Sequence, residues 1–442
     1  MLGPAPHIAV PHPGPRSREV IERVRSTEAA AGLTFGLAEV PPVFARAEGC
    51  VIEDPDGNRF LDMVAGFGSL NLGHSHPALV EAVTRQVVDG QQAMSMVSTV
   101  RTELIGALSQ LVPGLPMVML GASGSEAAET ALKLARRATG KPGVLAFSGG
   151  FHGRTMGALA LMGRAGQRSG LGQLGPVIHL PYPHAFRSPF GSDPTTVSEI
   201  TLELIDSQLS DPAGGWDQIG LVMMEPVQGN GGMIPAPAGF MAGLRRICDG
   251  HDLVLVSDEV MSGFHRTGRR FAFEHDEGVI PDMVVMGKSL SAGLPLSGVL
   301  VSREIAQANP AGTESSTYAG NLVSCASALA AHRVYAEQDM SSVAASRGAH
   351  LLSELRSALD GKPHIGEIRG RGLMVAVELV SAGTEPHPVA RAVSHACVDR
   401  GLLVYPGGHH GNVVAMLPPI VATDDQLSTA VDLLTGVLSS VV

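Results

Sequence analysis

Residues 253–293 read LVLVSDEVMSGFHRTGRRFAFEHDEGVIPDMVVMGKSLSAG. Two short apolar runs stand out. The first, 253–256, breaks off into Ser257, Asp258 and Glu259; the second, 283–286, breaks off into Gly287, Lys288 and Ser289. Continuous apolar runs of this length fit strands covered on both faces. The same texture recurs in MVMLGAS (117–123), GVLAFSGG (143–150), GLVMMEPV (220–227) and SGVLVSRE (297–304), with helical stretches between several of them, such as Glu126 to Ala138 and Ala238 to Cys248. This βα alternation predicts an open, mainly parallel α/β sheet at the centre of the chain. In such sheets ligands collect beyond the carboxyl ends of the strands, so the polar residues that trail these runs are the first candidates for chemistry.

Working outward, VIEDPDGNRFLDM (51–63) predicts two short strands around a DPDG turn. Beyond about residue 320 come helices, then EIRGRGLMVAVELV (367–380) as a strand, a helix from Val389 to Arg400 and a last strand near Asn412 to Leu417. The expected organisation is an N-terminal arm with a small-domain hairpin over 1–75, a large domain over 76–325 and a smaller C-terminal α+β domain over 326–442.

Composition narrows the function. Of 442 residues, 44% are hydrophobic and 17% charged, which excludes disorder through excess charge. A net charge of −11 argues against electrostatic capture of nucleic acid or an anionic membrane, leaving small molecules and protein as partners. Cys50, Cys248, Cys325 and Cys397 form no CxxC pair, so no zinc cluster or other metal site is expected and the thiols read as reduced and buried. The Pro-rich start shows no secretory h-region and no run of about 18 apolar residues appears, so the expectation is a soluble, cytoplasmic protein.

Lysine is scarce. Lys133, Lys141, Lys288 and Lys362 are the only four, so arginine supplies 31 − 4 = 27 of the basic residues. Lys133 lies four residues after Glu129 and reads as its helical ion-pair partner, while Lys141 and Lys362 sit at a helix end and in a DGKP turn. Lys288 alone follows an apolar strand among small residues. An amine kept partly dry there has a lowered pKa and suits Schiff-base chemistry. The stretch GASGSEAAET (121–130) places Ser123, Gly124 and Ser125 at the start of a helix, where backbone N–H groups suit a phosphate, or where a serine simply caps the helix. An amine, the Asp258 carboxylate and a phosphate cup together fit pyridoxal 5'-phosphate (PLP). A nucleotide hydrolase also comes to mind, because Asp258-Glu259 looks like a Walker B strand and Gly287-Lys288-Ser289 like the end of a P-loop. Asp282 stands where the P-loop needs its first glycine, and the order of the two motifs is reversed. In FHGRTMGALAL (151–161), Phe151 could stack on a ring, Phe151 and His152 could equally be ordinary loop packing, and Arg154 is either a surface guanidinium or a carboxylate clamp.

From about Val51 to the carboxyl terminus the chain resembles the class III aminotransferases, PLP enzymes of fold type I. The resemblance rests on FLDMVAGFGSLNLGHSHP, SGSEAAETALKLARRATG, FHGRTMGALAL, EPVQGNGG, SDEVMSGFHRTG, MGKSLSAGLPL, TYAGN, EIRGRGLMVAVEL and NVVAMLPPIV, all in family order. LMGRAGQRSGLGQLG, LPYPHAFRSPFG and GGHHGNVVAMLPP look most like the diaminobutyrate aminotransferase subgroup. The resemblance implies Lys288 as Schiff-base lysine and proton shuttle, Asp258 as partner of the pyridine nitrogen, and Ser123, Gly124 and Ser125 at the phosphate. It also implies Phe151 and Val260 on the two ring faces, His152, Glu225 and Met261 beside the cofactor, and Thr317 reaching the phosphate of a neighbouring subunit. A homodimer or higher homo-oligomer follows. Arg154 matches an arginine that grips a substrate carboxylate, and His409 and His410 are expected to border the pocket.

Three departures from the family pattern bear on substrate. Met261 replaces the glutamine of EVQTG, Asn230 replaces the glutamate of QGEGG, and Ala415 replaces the arginine of NVIRFLPP. The last two positions ordinarily hold a Glu and Arg that separate when the α-carboxylate of glutamate arrives. The leading expectation is amino-group transfer without that glutamate switch. A second is racemisation, an aminomutase shift or elimination and replacement on the same scaffold, and a third is a binding subunit without turnover.

Overall fold

The computed structural model describes residues 2–32, 34–93, 96–172 and 175–441, so Gln173 and Leu174 of the 161–175 stretch lie outside the described residues. In chain order the strands are β1 Arg46–Glu48, β2 Val51–Glu53, β3 Arg59–Asp62, β4 Met117–Gly121, β5 Gly143–Phe147, β6 Val177–Leu180, β7 Ile219–Met224, β8 Val227–Gln228, β9 Ile234–Pro235, β10 Val254–Asp258, β11 Met283–Met286, β12 Ser297–Val301, β13 Ile365–Arg371, β14 Met374–Leu379, β15 Leu402–Leu403, β16 Tyr405–Gly407 and β17 Val413–Met416.

Seven of these form one sheet in the order β4-β12-β11-β10-β7-β5-β6. Strands β11, β10, β7, β5 and β6 are parallel neighbours, while β12 runs antiparallel to both β11 and β4. The α/β expectation holds, with β12 as the reversed strand. Strands β5, β7, β10, β11 and β12 are buried at every residue, which explains their unbroken apolar sequence: helices cover both faces. Strand β6 was not anticipated, because VIHL interrupts its apolar run with His179.

The hairpin of β2 and β3 forms as predicted. Asp54 Oδ1 accepts the N–H groups of Asp56 and Asn58, each at 2.9 Å, and closes the turn. Strand β3 then pairs in parallel with β15, so the first and last parts of the chain share one small sheet, β1-β2-β3-β15. A second small sheet has the order β13-β14-β17-β16. Residues 367–380, expected as one strand, are parts of two: the chain reverses at Gly372, whose φ of +54° suits glycine, and β13 folds back on β14. All four cysteines are buried and unpaired. No helix among the described residues is long and apolar enough to cross a membrane.

Candidate active site

The carboxyl ends of β5, β7, β10 and β11 bring three acidic or basic groups and a histidine together. Asp258 closes β10 and is buried. Its Oδ2 lies 2.7 Å from His152 Nδ1, and its Oδ1 accepts the Val260 N–H at 3.0 Å. Burial alone would lower the His152 pKa, but the hydrogen bond to Asp258 and the charges of Asp258 and Glu225 outweigh it, and the pKa is raised. Glu225, just after β7, accepts the N–H of Phe151 at 2.8 Å and of Gly229 at 3.1 Å. Burial raises its pKa to about 7, with His152 and the two N–H bonds opposing and Asp258 reinforcing.

Lys288 follows β11, the strand paired with β10 so that Asp258 stands opposite Val285. Its φ of +44° is unusual for a long side chain and holds it in a sparsely populated conformation, a feature that recurs at functional sites. The residue is partly buried, and its Nζ has no hydrogen-bond partner among the described residues. Desolvation lowers its pKa to about 8; Glu225 and Asp258 pull the other way, and Arg266 adds to the lowering. Of the four lysines, this one has the properties the sequence argument required.

The helix Gly124–Thr139 supplies an anion cup. Ser123 Oγ accepts the Glu126 N–H at 3.3 Å, so the helix-capping reading of Ser123 is correct. The N–H groups of Gly124 and Ser125 have no acceptor among the described residues, and they point out of the first turn of a sixteen-residue helix. Val260 closes over them: a Cβ added at Gly124 would lie 3.1 Å from Val260 Cγ1, and one added at Gly287 would lie 3.3 Å from the same methyl. Ser125 Oγ accepts the Arg154 N–H at 3.0 Å, an approach that depends on Gly153, whose φ is +139° and whose added Cβ would meet Ser125 Cα at 2.7 Å. A partly desolvated amine, a hydrogen-bonded carboxylate and free helix N–H groups are the donor set that a phosphorylated pyridine aldehyde requires.

The remaining predicted residues sort differently. Ala415 is fully buried on β17 in a small apolar cluster with Val413 and Leu417, against which Met261 and Tyr405 pack. Met261 also lies against Gly229, where an added Cβ would overlap its sulfur. The Asn230 side-chain oxygen accepts from the Tyr405 hydroxyl. The Asn230 carbonyl accepts Arg164 Nη2 at 2.7 Å, and the same nitrogen donates to Gly408 O at 2.8 Å. Arg154, His409, His410 and Thr317 are exposed; the Thr317 carbonyl accepts Gln92 Nε2 at 2.8 Å within the chain. Lys133 is not the partner of Glu129: it pairs with Glu314 at 2.5 Å, while Glu129 caps the N–H groups of Gly157 and Ala158.

Tyr405 and Arg164 were missed by sequence reasoning, and no local signal marks them, because Tyr405 meets its partner across 175 residues. Beneath Asn230, Arg369 Nε donates to Gly232 O at 2.8 Å and its Nη1 pairs with Glu367 at 2.6 Å and with Glu378, which also engages Arg187 and Asn412. His184, Glu367 and Glu378 come within metal-ligand reach of one another, but the arginines already satisfy the two carboxylates.

A family profile described as aminotransferase class-III matches residues 37–438. The chain is 35% identical over 410 residues to a diaminobutyrate–2-oxoglutarate aminotransferase of Rhizobium meliloti, covering 88% of this chain and 87% of that protein. It is 37% identical over 412 residues to a 2-aminoadipate transaminase of Pseudomonas putida, covering 91% and 97%. Among solved structures it is similar to an amine transaminase from an uncultivated Pseudomonas species in its PLP-bound form. There the TM-score is 0.85 at 30% identity, with 94% of this chain and 98% of that chain covered.

Proposed function

Since this chain belongs to the class-III aminotransferases, PLP-dependent enzymes that transfer amino groups, we propose that Lys288 holds the cofactor and moves the substrate proton at its Nζ, with Asp258 beside the ring nitrogen. Bound there, PLP supplies an electrophilic carbonyl and an electron-accepting ring. The observation that carries the assignment is the pairing of a partly buried lysine, its pKa lowered by desolvation, with a buried, histidine-backed carboxylate on adjacent strand ends. Asp258 keeps the ring nitrogen protonated, and His152 holds that carboxylate in place. Gly124 and Ser125 bind the phosphate, Phe151 and Val260 bracket the ring, and Arg154 takes a carboxylate at the far end of the substrate. Near pH 8 the Lys288 amine exists in both protonation states, as a group that takes up and returns a proton must.

A homodimer is part of the same proposal. Val88 and Val97 are 82% and 95% exposed, Met96 and Tyr318 are also exposed, and so is Thr317 next to Tyr318. Exposed large apolar side chains of this kind are what a partner subunit covers.

The enzyme works without the glutamate switch. Asn230 is neutral and bonded to Tyr405, and Ala415 offers a buried methyl, so no cation stands at position 415 for a substrate α-carboxylate. Loss of a bidentate arginine contact to a buried carboxylate costs about 2 to 4 kcal/mol, or roughly 30- to 1000-fold in affinity. Mixing holoenzyme with glutamate and following the cofactor absorbance tests this. At millimolar glutamate the spectrum should change slowly and without saturation; rapid, saturable conversion would overturn it.

A further inference from the structure

We propose that Tyr405 is the specificity-determining residue of this enzyme, a fixed neutral wall that admits amines with a small uncharged substituent on the reacting carbon and excludes those bearing a carboxylate there. The proposal rests on the absence of the glutamate switch and names what stands in its place.

Strands β16 and β17 are antiparallel, and Tyr405 is paired directly with Ala415. Side chains at paired positions emerge on one face with Cβ atoms about 5 Å apart. One of this pair is a methyl and the other a phenol, so the ring takes the space along that face which a long side chain at 415 would need. Tyr405 and a basic residue at 415 therefore exclude one another.

The ring is fastened at several points. Phe67 meets it edge-on, with centroids 5.3 Å apart. Met261 packs with it against the same apolar cluster. Its hydroxyl donates to Asn230, so the proton that could have met a substrate oxygen is already engaged. Arg164 clamps the two loops that carry this contact, bonding to the carbonyls of Asn230 and Gly408 at once. Arg369 holds the same turn from below through Gly232.

The wall is also uncharged. Burial raises the Tyr405 pKa; Arg164 and Arg154 oppose, and Glu225 adds to the rise. A carboxylate on the reacting carbon would lose its water against a phenol, a thioether and a methyl; of the two guanidiniums felt at this wall, Arg164 is already bonded to the carbonyls of Asn230 and Gly408 and Arg154 is exposed. A hydrogen or methyl loses nothing.

Two experiments on the holoenzyme test the proposal. The first compares the glutamate half-reaction in wild type, Ala415→Arg and the double variant Tyr405→Ala/Ala415→Arg, with the cofactor spectrum and thermal unfolding as checks on folding. The single variant should gain less than about 3-fold, because the ring blocks the new arginine; the double variant should gain about 30-fold or more. An equal gain in both, or none in a double variant that folds and holds cofactor, would overturn the Tyr405 assignment. Rapid reaction of wild type with glutamate would instead overturn the absent-switch reading on which it rests.

The second experiment needs no new charge. The chain has four tyrosines, so 3-fluorotyrosine labelling gives four resonances, and Tyr405→Phe identifies the one at the wall. Asn230→Ala should move that resonance, and isopropylamine should shift it on binding. Tyr405→Ala should speed heptan-4-amine, which carries a propyl group on both sides of the reacting carbon, by about 10-fold or more relative to isopropylamine, as expected when a wall of this size is removed. A resonance indifferent to Asn230 and to the amine, or an unchanged preference between the two amines, would overturn it.

Discussion

Competitive acetylation by trace acetic anhydride, which attacks only the neutral amine, should single out Lys288 in the cofactor-free protein. The perturbation is a pH series from 6.5 to 9.5, with peptide mapping of the four lysine sites. Burial lowers Lys288 to about 8 from an ordinary 10.5. At pH 8 a group with that value is half neutral, whereas an ordinary lysine is neutral in about 0.3% of molecules, so the fraction available differs roughly 150-fold. The sign follows from desolvation: the site disfavours the ammonium, so the reactive form accumulates as pH rises through about 8 and levels off above it. Glu225→Gln sharpens the test. Glu225 supports the ammonium, and its neutralisation should move the Lys288 midpoint below that of wild type. A Lys288 midpoint at or above 10, or one that rises in Glu225→Gln, would refute the reasoning that burial governs this amine.

His152→Leu should lower the unfolding temperature of the cofactor-free protein, because it leaves the buried Asp258 Oδ2 without its partner, at a cost of about 1 to 3 kcal/mol. The His152 pKa is raised above its ordinary 6.5, so its contribution is full below 6.5 and is lost as pH rises through the folded value. Scanning calorimetry should therefore find the difference between wild type and variant largest near pH 6 and smaller at alkaline pH; a gap that widens with pH would contradict the pairing. Met261→Gln places an amide donor where the thioether now lies against Gly229. Titration of the cofactor-free variant with PLP should show a shifted visible band and about 2- to 10-fold tighter binding, the worth of one hydrogen bond; an unchanged band would remove Met261 from the cofactor's surroundings.

The parts of the site that the sequence made legible are those where function and backbone coincide. Asp258 and Lys288 follow strands whose apolar runs are unmistakable, and Gly124 and Ser125 open a helix with its own cap. Local rules failed where tertiary pairing decides. Lys133 has an acid at the right helical spacing, yet Glu129 is drawn to the N–H groups of Gly157 and Ala158, which are a stronger claim on a carboxylate than an exposed ammonium. Residues 367–380 looked like one strand because the apolar run of the second half dominates, and the reversal at Gly372 is marked only by Gly370 and Gly372, with no proline or Asn-Gly to announce it. Tyr405 was invisible for a related reason: its meaning lies in its register with Ala415 and in a partner from the turn between β8 and β9.

The buried ion network beneath Asn230 clarifies why this enzyme discriminates by a wall. Glu378 is engaged by Arg369, Arg187 and Asn412, and Arg369 reaches on to the carbonyl of Gly232. Removing charges from water offsets most of what such a network gains, so its net contribution to stability is small. Its geometry is another matter. Each member has a partner on a different segment, from 187 through 232 and 369 to 412, and the turn carrying Asn230 cannot move without breaking a buried pair. A switch needs the opposite, two arrangements of nearly equal energy that a ligand can choose between. With Arg164 holding the same turn from above and Arg369 from below, the contact between Tyr405 and Asn230 is tied from both sides. On the proposed reading, selectivity at this end of the site comes from what the wall leaves unpaired in a wrong substrate.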